Sequence, residues 1–217
     1  MSINRVISKG FKDILSFEVL MFVLKIGLGS ILLWITIIYI YWSEMLSIVS
    51  SYLTIIPWDW LRTTGSAMVT LFIGYIFIII TISVFTSLYS EDLLKSLAIK
   101  NYAVESIGTP NSITSIIITL KSIVKFIILF VVLFLSLFIP IIGQVIMLYL
   151  WSILLRDPTI YDVGTLFISD KDILKQKSKK ATTISMIASL FNYIPILNIF
   201  APIYAQILFL HHILEEN

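Results

Sequence analysis

The chain has 217 residues, 59% of them hydrophobic and only 13% charged, with a formal net charge of +2 and a mean hydropathy of +1.01. Soluble domains carry about 25% charge, so this composition excludes an ordinary soluble domain and points to an integral membrane protein. The small net charge and the lack of a dense basic patch exclude a nucleic-acid partner, and the absence of cysteine excludes disulfides, thiol chemistry and cysteine-ligated metals.

The first twenty residues, MSINRVISKGFKDILSFEVL, hold no short apolar core followed by a small-residue cleavage site. They are expected to stay on the protein, with the first membrane helix as the insertion signal. The first stretch free of Asp, Glu, Lys and Arg is Ile26–Ser43, 18 residues. A spanning helix needs about 20 apolar residues. Extended backwards past Lys25, whose stem can snorkel, it predicts a span over about 20–43. Met45–Pro57 follows, with Ser47, Ser50, Ser51 and Thr54 forming a polar stripe at helical spacing. It reads as an amphipathic interfacial helix, and Trp58 and Trp60 anchor the start of the next span. Thr63–Ser90 (28 residues) predicts that span over about 65–90, with Ser66, Thr70 and Gly74 as a small-residue packing seam. Ser90–Ser106 reads as an amphipathic helix and Gly108–Ser112 as a turn.

The last two uncharged stretches are Phe126–Leu155 (30 residues) and Ala181–Leu214 (34 residues). Each is too long for one simple span, too short for two, and interrupted. The first carries Pro140 and Gly143, and the second carries Asn192, Pro195, Asn198 and Pro202. Proline removes a backbone donor and breaks or kinks a helix, and in a bilayer such breaks occur only where protein or a wet cavity satisfies the freed groups. The segments read either as kinked spans or as re-entrant hairpins.

The basic residues arbitrate. Arg5, Lys9, Lys12 and Lys25 precede the first span, and only Arg62 lies between the first two. Lys95, Lys100, Lys121 and Lys125 precede the third stretch, and Arg156, Lys171, Lys175, Lys177, Lys179 and Lys180 lie between the third and fourth. Four full crossings would split these evenly. Two crossings plus two re-entrant hairpins put fourteen on one side and one on the other, as the cytoplasmic excess of Lys and Arg requires. The expected architecture is therefore an all-α membrane domain over 1–217. It has two long transmembrane helices, two half-penetrating hairpins at about 126–155 and 181–214, interfacial helices, and both termini cytoplasmic.

No catalytic constellation, phosphate loop or cofactor motif is present, so the chain is not expected to be an enzyme. Neighbouring His211 and His212 point about 100° apart on a helix, a poor metal pair, and read as interface polarity. The candidates for a solute path are Gln144, Asn192 and Asn198, together with Gly143, Pro140, Pro195 and Pro202, around which backbone groups are freed. Lys25, Lys121 and Lys125 are candidates for attracting anions. The Asn and Gln side chains also fit a purely structural role, tying broken helices together.

Phe138–Gln144 reads FIPIIGQ, and Tyr193–Ile199 echoes it as YIPILNI. These motifs, with SLFNYIPILNIFAP around the second and Gly10-Phe11 near the N-terminus, resemble the family of the CysZ sulfate permease and the etoposide-induced membrane protein. The resemblance implies two long helices, two half-penetrating hairpins, an oligomer, an Asp-Pro loop at Asp157-Pro158, and permeation of sulfate, sulfite or another small anion across a bacterial inner membrane. One departure stands out. A sulfate-binding motif that ends in two arginines aligns with Phe17–Met21, where Leu20 and Met21 replace the arginines and Glu18 adds a carboxylate. That departure keeps a second expectation open, a non-transporting protein that organises or assembles envelope components.

Overall fold

The structure, a computed structural model, describes residues 3–54, 57–195 and 197–215. Among the described residues all regular structure is helical. The elements are α1 (Ile3–Ile14), α2 (Phe17–Ile40), α3 (Trp42–Tyr52), α4 (Asp59–Tyr89), α5 (Glu91–Tyr102), α6 (Ser112–Leu133), α7 (Ile142–Gly164), α8 (Lys171–Lys180), α9 (Thr182–Leu190) and α10 (Ala201–Leu214). Short 3₁₀ turns follow α6 and α9 and precede α10. The chain forms two compact units, Met1–Leu20 with Tyr89–Asn217, and Met21–Leu88.

The Met21–Leu88 unit is the simpler one. Within it the long side chains of α2 reach the small face of α4. Trp34 stacks on Phe77 at 4.5 Å and its indole N–H donates to Thr81 at 2.8 Å. One turn on, a Cβ added to Gly74 would run into Ile38. Ser66, Thr70 and Gly74 are all buried, so the small-residue seam receives a helix of the same chain.

The larger unit is organised around α10. This helix is mostly apolar around its circumference, as a buried helix is, and all its residues from Ile203 to Leu214 are buried, Gln206, His211 and His212 among them. It is enclosed by α1, α5, α7 and α9. α1 is amphipathic, burying Val6, Gly10, Asp13 and Ile14 on one stripe. Gly10 permits the close approach, since a Cβ there would lie 2.6 Å from Leu208. Its neighbour Phe11 meets the rings of Phe191 and Tyr204 at 6.0 and 5.4 Å. The Gly10-Phe11 pair is thus the seam between α1 and α10.

α6 and α7 run antiparallel. Ser115 donates to Asp162 at 2.7 Å, and Phe126 lies 6.3 Å from Trp151. α6 starts on a cap, the Asn111 side chain accepting from the Thr114 N–H at 3.1 Å. Its helical path continues through the 3₁₀ turn to Phe138, so by length and apolarity three segments are able to cross a membrane: Phe17–Ile40, Asp59–Tyr89 and Ser112–Phe138. The two expected crossings coincide with the first two of these, and the third reaches back past the uncharged run that begins at Phe126, because a lysine does not interrupt a helix. Two expectations need correction. Asp157-Pro158 is not a loop but lies inside α7; a mid-helix proline forfeits one backbone bond, and the 23-residue helix continues past it. His211 and His212 are not interfacial but buried, at 0% and 1% exposure.

Candidate functional site

The two proline motifs form the two turns of the larger unit. At the first, Pro140 is exposed and its carbonyl accepts from the Ile142 N–H at 2.8 Å. The enclosed residue, Ile141, has φ 68° and ψ −53°, a γ-turn of the rare positive-φ kind. A β-branched residue is strained there. Gly143 is buried because the returning chain crosses the Leu137 backbone so closely that a Cβ would strike its carbonyl. Proline, strained isoleucine and glycine together make the reversal of FIPIIGQ. Gln144 begins the first turn of α7 with its side chain exposed.

The second turn is built differently. Pro195 is exposed, and the Asn198 N–H donates to the Ile194 carbonyl at 3.0 Å. Asn198 is buried at 8% exposure while Asn192 is half-buried. Pro202 occupies the first turn of α10, where a missing N–H costs nothing. The tips of the two turns meet. The Tyr193 hydroxyl donates to the Gln144 carbonyl at 3.4 Å. Gln144, Gly143, Pro140, Asn192, Asn198, Pro195 and Pro202 therefore belong to one pair of adjoining hairpin ends. Deeper in α10, the Gln206 side-chain oxygen and the Tyr204 hydroxyl are buried with no hydrogen-bond partner among the described residues.

The opposite end of the first hairpin is cationic. Lys121 and Lys125, one turn apart on α6, line a pocket of about 780 Å³ with Arg156, Lys175 and Asp157. Thr114, Ser122, Ser169 and Ser178 add hydroxyls. Arg156 donates to Asp157 at 2.8 Å and to Thr182 at 3.1 Å. Burial alone would raise the Asp157 carboxyl. Hydrogen bonds from Arg156 and Ser178 and the charges of Arg156 and Lys125 outweigh it and hold that carboxyl below its ordinary range. Asp162 is the opposite case, where burial raises the carboxyl and the Ser115 hydrogen bond only partly offsets it. Among the described residues neither Lys121 nor Lys125 forms an ion pair. Lys25 is on α2 in the Met21–Leu88 unit, with its side chain exposed. Glu18, at the position of the missing motif, lies 4.0 Å from Lys100.

A third polar cluster escaped the sequence reading. His211 Nδ1 lies 2.8 Å from the Tyr102 hydroxyl and its Nε2 lies 3.0 Å from Asp13. Burial, then the Glu215 and Asp13 charges, push the Tyr102 phenol far above its ordinary value, so Tyr102 keeps its proton and donates to Nδ1. His211 Nε2–H then donates to the Asp13 carboxylate, which also accepts from Asn101 at 2.7 Å. Lys9 donates to the Tyr102 oxygen at 3.3 Å and lies 3.9 Å from Glu215. A neutral imidazole satisfies every partner. The cluster ties α1, α5 and α10 together. On the next residue, His212 Nε2–H donates to the Lys177 carbonyl at 3.3 Å, and Lys177 itself donates to the Ile213 carbonyl at 2.5 Å, at the C-terminal end of α10.

Three apolar helices of spanning length, a buried central helix and two proline-broken turns define a helical membrane protein. The chain belongs to the family described as sulfate transporter CysZ/etoposide-induced protein 2.4, which matches residues 6–202 and so includes both proline motifs. That is a transporter family, not a family of enzymes. The match ends at Pro202, before His211 and His212. No curated protein and no solved structure matches the chain.

Proposed function

We propose that the chain is a CysZ-type permease, passing sulfate or another small anion along its two broken hairpins. In this reading both hairpins enter and leave the membrane on one face, the cytoplasmic face of a bacterial inner membrane, where both termini also lie. The protomers assemble as a homo-oligomer.

The observation that carries the reading is the placement of charge along the first hairpin. Lys125 is the middle residue of Ser112–Phe138. If that segment crossed fully, Lys125 would sit near the bilayer centre, where a lysine costs about 2.5–3.5 kcal/mol even on insertion scales. The charges of both limbs share one end instead, with Asp162 at the level of Ser115 and Lys121, Lys125 and Arg156 lining one pocket. Beyond that level no charged residue occurs until the chain has turned at Pro140 and returned to Leu155. The uncharged parts of the limbs are 13–14 residues long, about 20 Å at 1.5 Å per residue, which is short of a hydrocarbon core of about 30 Å. α9 and α10, with 9 and 14 residues, are shorter than a span as well. Broken helices at membrane depth are where transporters expose backbone groups to a solute. The meeting of Tyr193 with Gln144 puts two such breaks side by side. Gln144, Asn192 and Asn198 are the proposed lining, and the cationic end draws anions to that face.

The test is labelled sulfate flux into liposomes carrying the purified protein, with sulfite and other small anions in parallel. Flux well above empty liposomes that falls severalfold in Gln144→Ala and Asn198→Ala supports the permease. Flux equal to empty liposomes for every anion removes it. One observation favours the second reading, an organising protein that transports nothing: Leu20 and Met21 stand where the family's sulfate-binding arginines are expected, and Glu18 adds a carboxylate that repels an anion.

A further inference from the structure

The cationic pocket does not end at its lysines. Lys121 and Lys125 also border a second depression, a groove of about 530 Å³ whose other walls are Ile117, Leu120, Val124, Ile128 and Leu129. Its lining is apolar apart from the two lysines. A polyatomic solute anion fits the first feature and leaves the second unexplained, since it has nothing to bury against isoleucine and leucine. The ligand that matches both is amphiphilic. It has a phosphate for the lysines, hydroxyl groups for Ser122, Ser169 and Ser178, and a hydrocarbon chain for the groove.

We infer that this pocket and groove form a site for one anionic phospholipid. Its phosphate lies between Lys121 and Lys125 with Arg156 and Lys175 at the rim, and one acyl chain lies along Val124, Ile128 and Leu129. The inference rests on the re-entrant reading of the first hairpin, which sets the membrane boundary near Lys125. Three features carry it. First, the charge is complementary, because four cations face one carboxylate and that carboxylate is already held by Arg156 and Ser178. Second, apolar wall continues past the cations along α6: Ile128 and Leu129 follow Lys121 and Lys125 toward the uncharged tip, with Ile117 and Leu120 flanking the lysines on the headgroup side. Third, Val124 and Ile128 are more than half exposed, and Lys121 and Lys125 form no ion pair among the described residues, so neither the groove nor the two cations are already taken up by the protein. Basic pockets between membrane helices on the cytoplasmic side are of the kind that bind anionic headgroups.

The experiment is native mass spectrometry of the detergent-solubilised full chain, titrated with phosphatidylglycerol and with phosphatidylcholine of the same acyl chains. The expected result is one phosphatidylglycerol per protomer, retained about tenfold or more in preference to phosphatidylcholine, from about 1 kcal/mol per lysine near the headgroup. The double variant Lys121→Gln/Lys125→Gln loses the preference. Val124→Trp, on an exposed helix position, fills the groove and lowers phosphatidylglycerol retention while leaving any binding of inorganic phosphate unchanged. Retention of both lipids alike overturns the site. So does a result in which inorganic phosphate or sulfate alone stabilises the protein as much as phosphatidylglycerol does, which gives the pocket to the solute. The topology is read separately, from thiol labelling of Ser169→Cys in cells. A lipid site that fails with Ser169 protected, and a lipid site that holds with Ser169 labelled from outside, are therefore different outcomes.

Discussion

The two hairpins share a sequence signature and little else. In the first, α6 and the start of α7 present most of their side chains outward, with Leu135 and Ile141 among the most exposed residues of the chain. In the second, α10 is enclosed by its neighbours, and its His211 joins Asp13 of α1 and Tyr102 of α5 in a buried polar cluster. The turns differ too. One is a strained γ-turn closed by Gly143, and the other uses 3₁₀ geometry with Pro202 in the first turn of α10. An Ile-Pro-Ile motif therefore specifies a break in the helix, not the environment of the helices it separates. The first hairpin keeps an exposed apolar outer surface, and the second is the core on which the larger unit is assembled.

The largest expected effect follows from that contrast. His211→Ala takes from the buried Asp13 carboxylate its hydrogen-bond donor and leaves a cavity beside Tyr102, a loss of about 3 kcal/mol or more. Leu135→Ala, on the exposed first hairpin, changes stability by about 0.5 kcal/mol or less. Thermal unfolding of the detergent-solubilised variants checks both, and similar melting temperatures would end the distinction between core and surface hairpin. The next effect is at the turns. Gly143→Ala forces its Cβ against the Leu137 carbonyl and costs about 1–3 kcal/mol, as overpacking does. Pro202→Ala, where the ring only restricts the unfolded chain, costs about 0.4–1 kcal/mol.

A gain is expected at Ile141→Gly. Relief of positive-φ strain, of order 1–3 kcal/mol, outweighs the entropy that glycine adds to the unfolded chain, so the melting temperature rises. An unchanged or lower one argues against the γ-turn. The smallest effects separate the two carboxylates of α7. Asp157 has a lowered value in the fold, so it contributes stability above its unfolded value, and this is lost as pH falls through its folded value. Asp162 has a raised value, so its ionised form costs stability at neutral pH, and the cost disappears as pH falls through its folded value. Asp157→Asn is expected to lower the melting temperature at pH 7. Asp162→Asn, which keeps an acceptor for Ser115, is expected to raise it slightly. Both differences shrink toward pH 3.

Much of this was legible in the sequence because it is local. Uncharged runs mark the helices, Pro140 and Pro195 mark the turns, and the spacing of Ser66, Thr70 and Gly74 marks a packing seam. What was not legible depends on residues far apart in the chain. Asp13, Tyr102 and His211 form one network across 198 positions, so the adjacent histidines read as surface polarity although each is buried with its own partners. The start of α6 at Ser112 was not legible from the uncharged run, because a charge count ends at Lys125 while backbone hydrogen bonding does not. The loop at Asp157-Pro158 was implied by the family resemblance alone, and the 23-residue α7 continues through it. The meeting of Tyr193 with Gln144 and the groove beside Lys121 and Lys125 have no sequence signal beyond the residues themselves.

The proposed permease requires both hairpins to open to one face of the membrane. The most direct measurement is thiol labelling of Ser169→Cys, an exposed position between α7 and α8 in a chain with no cysteine of its own, using an impermeant maleimide on intact bacteria. The expected result is no labelling until the membrane is permeabilised, with an Arg62→Cys control labelled from outside. Labelling of Ser169→Cys in intact cells would mean that the first hairpin crosses the bilayer, which contradicts the account.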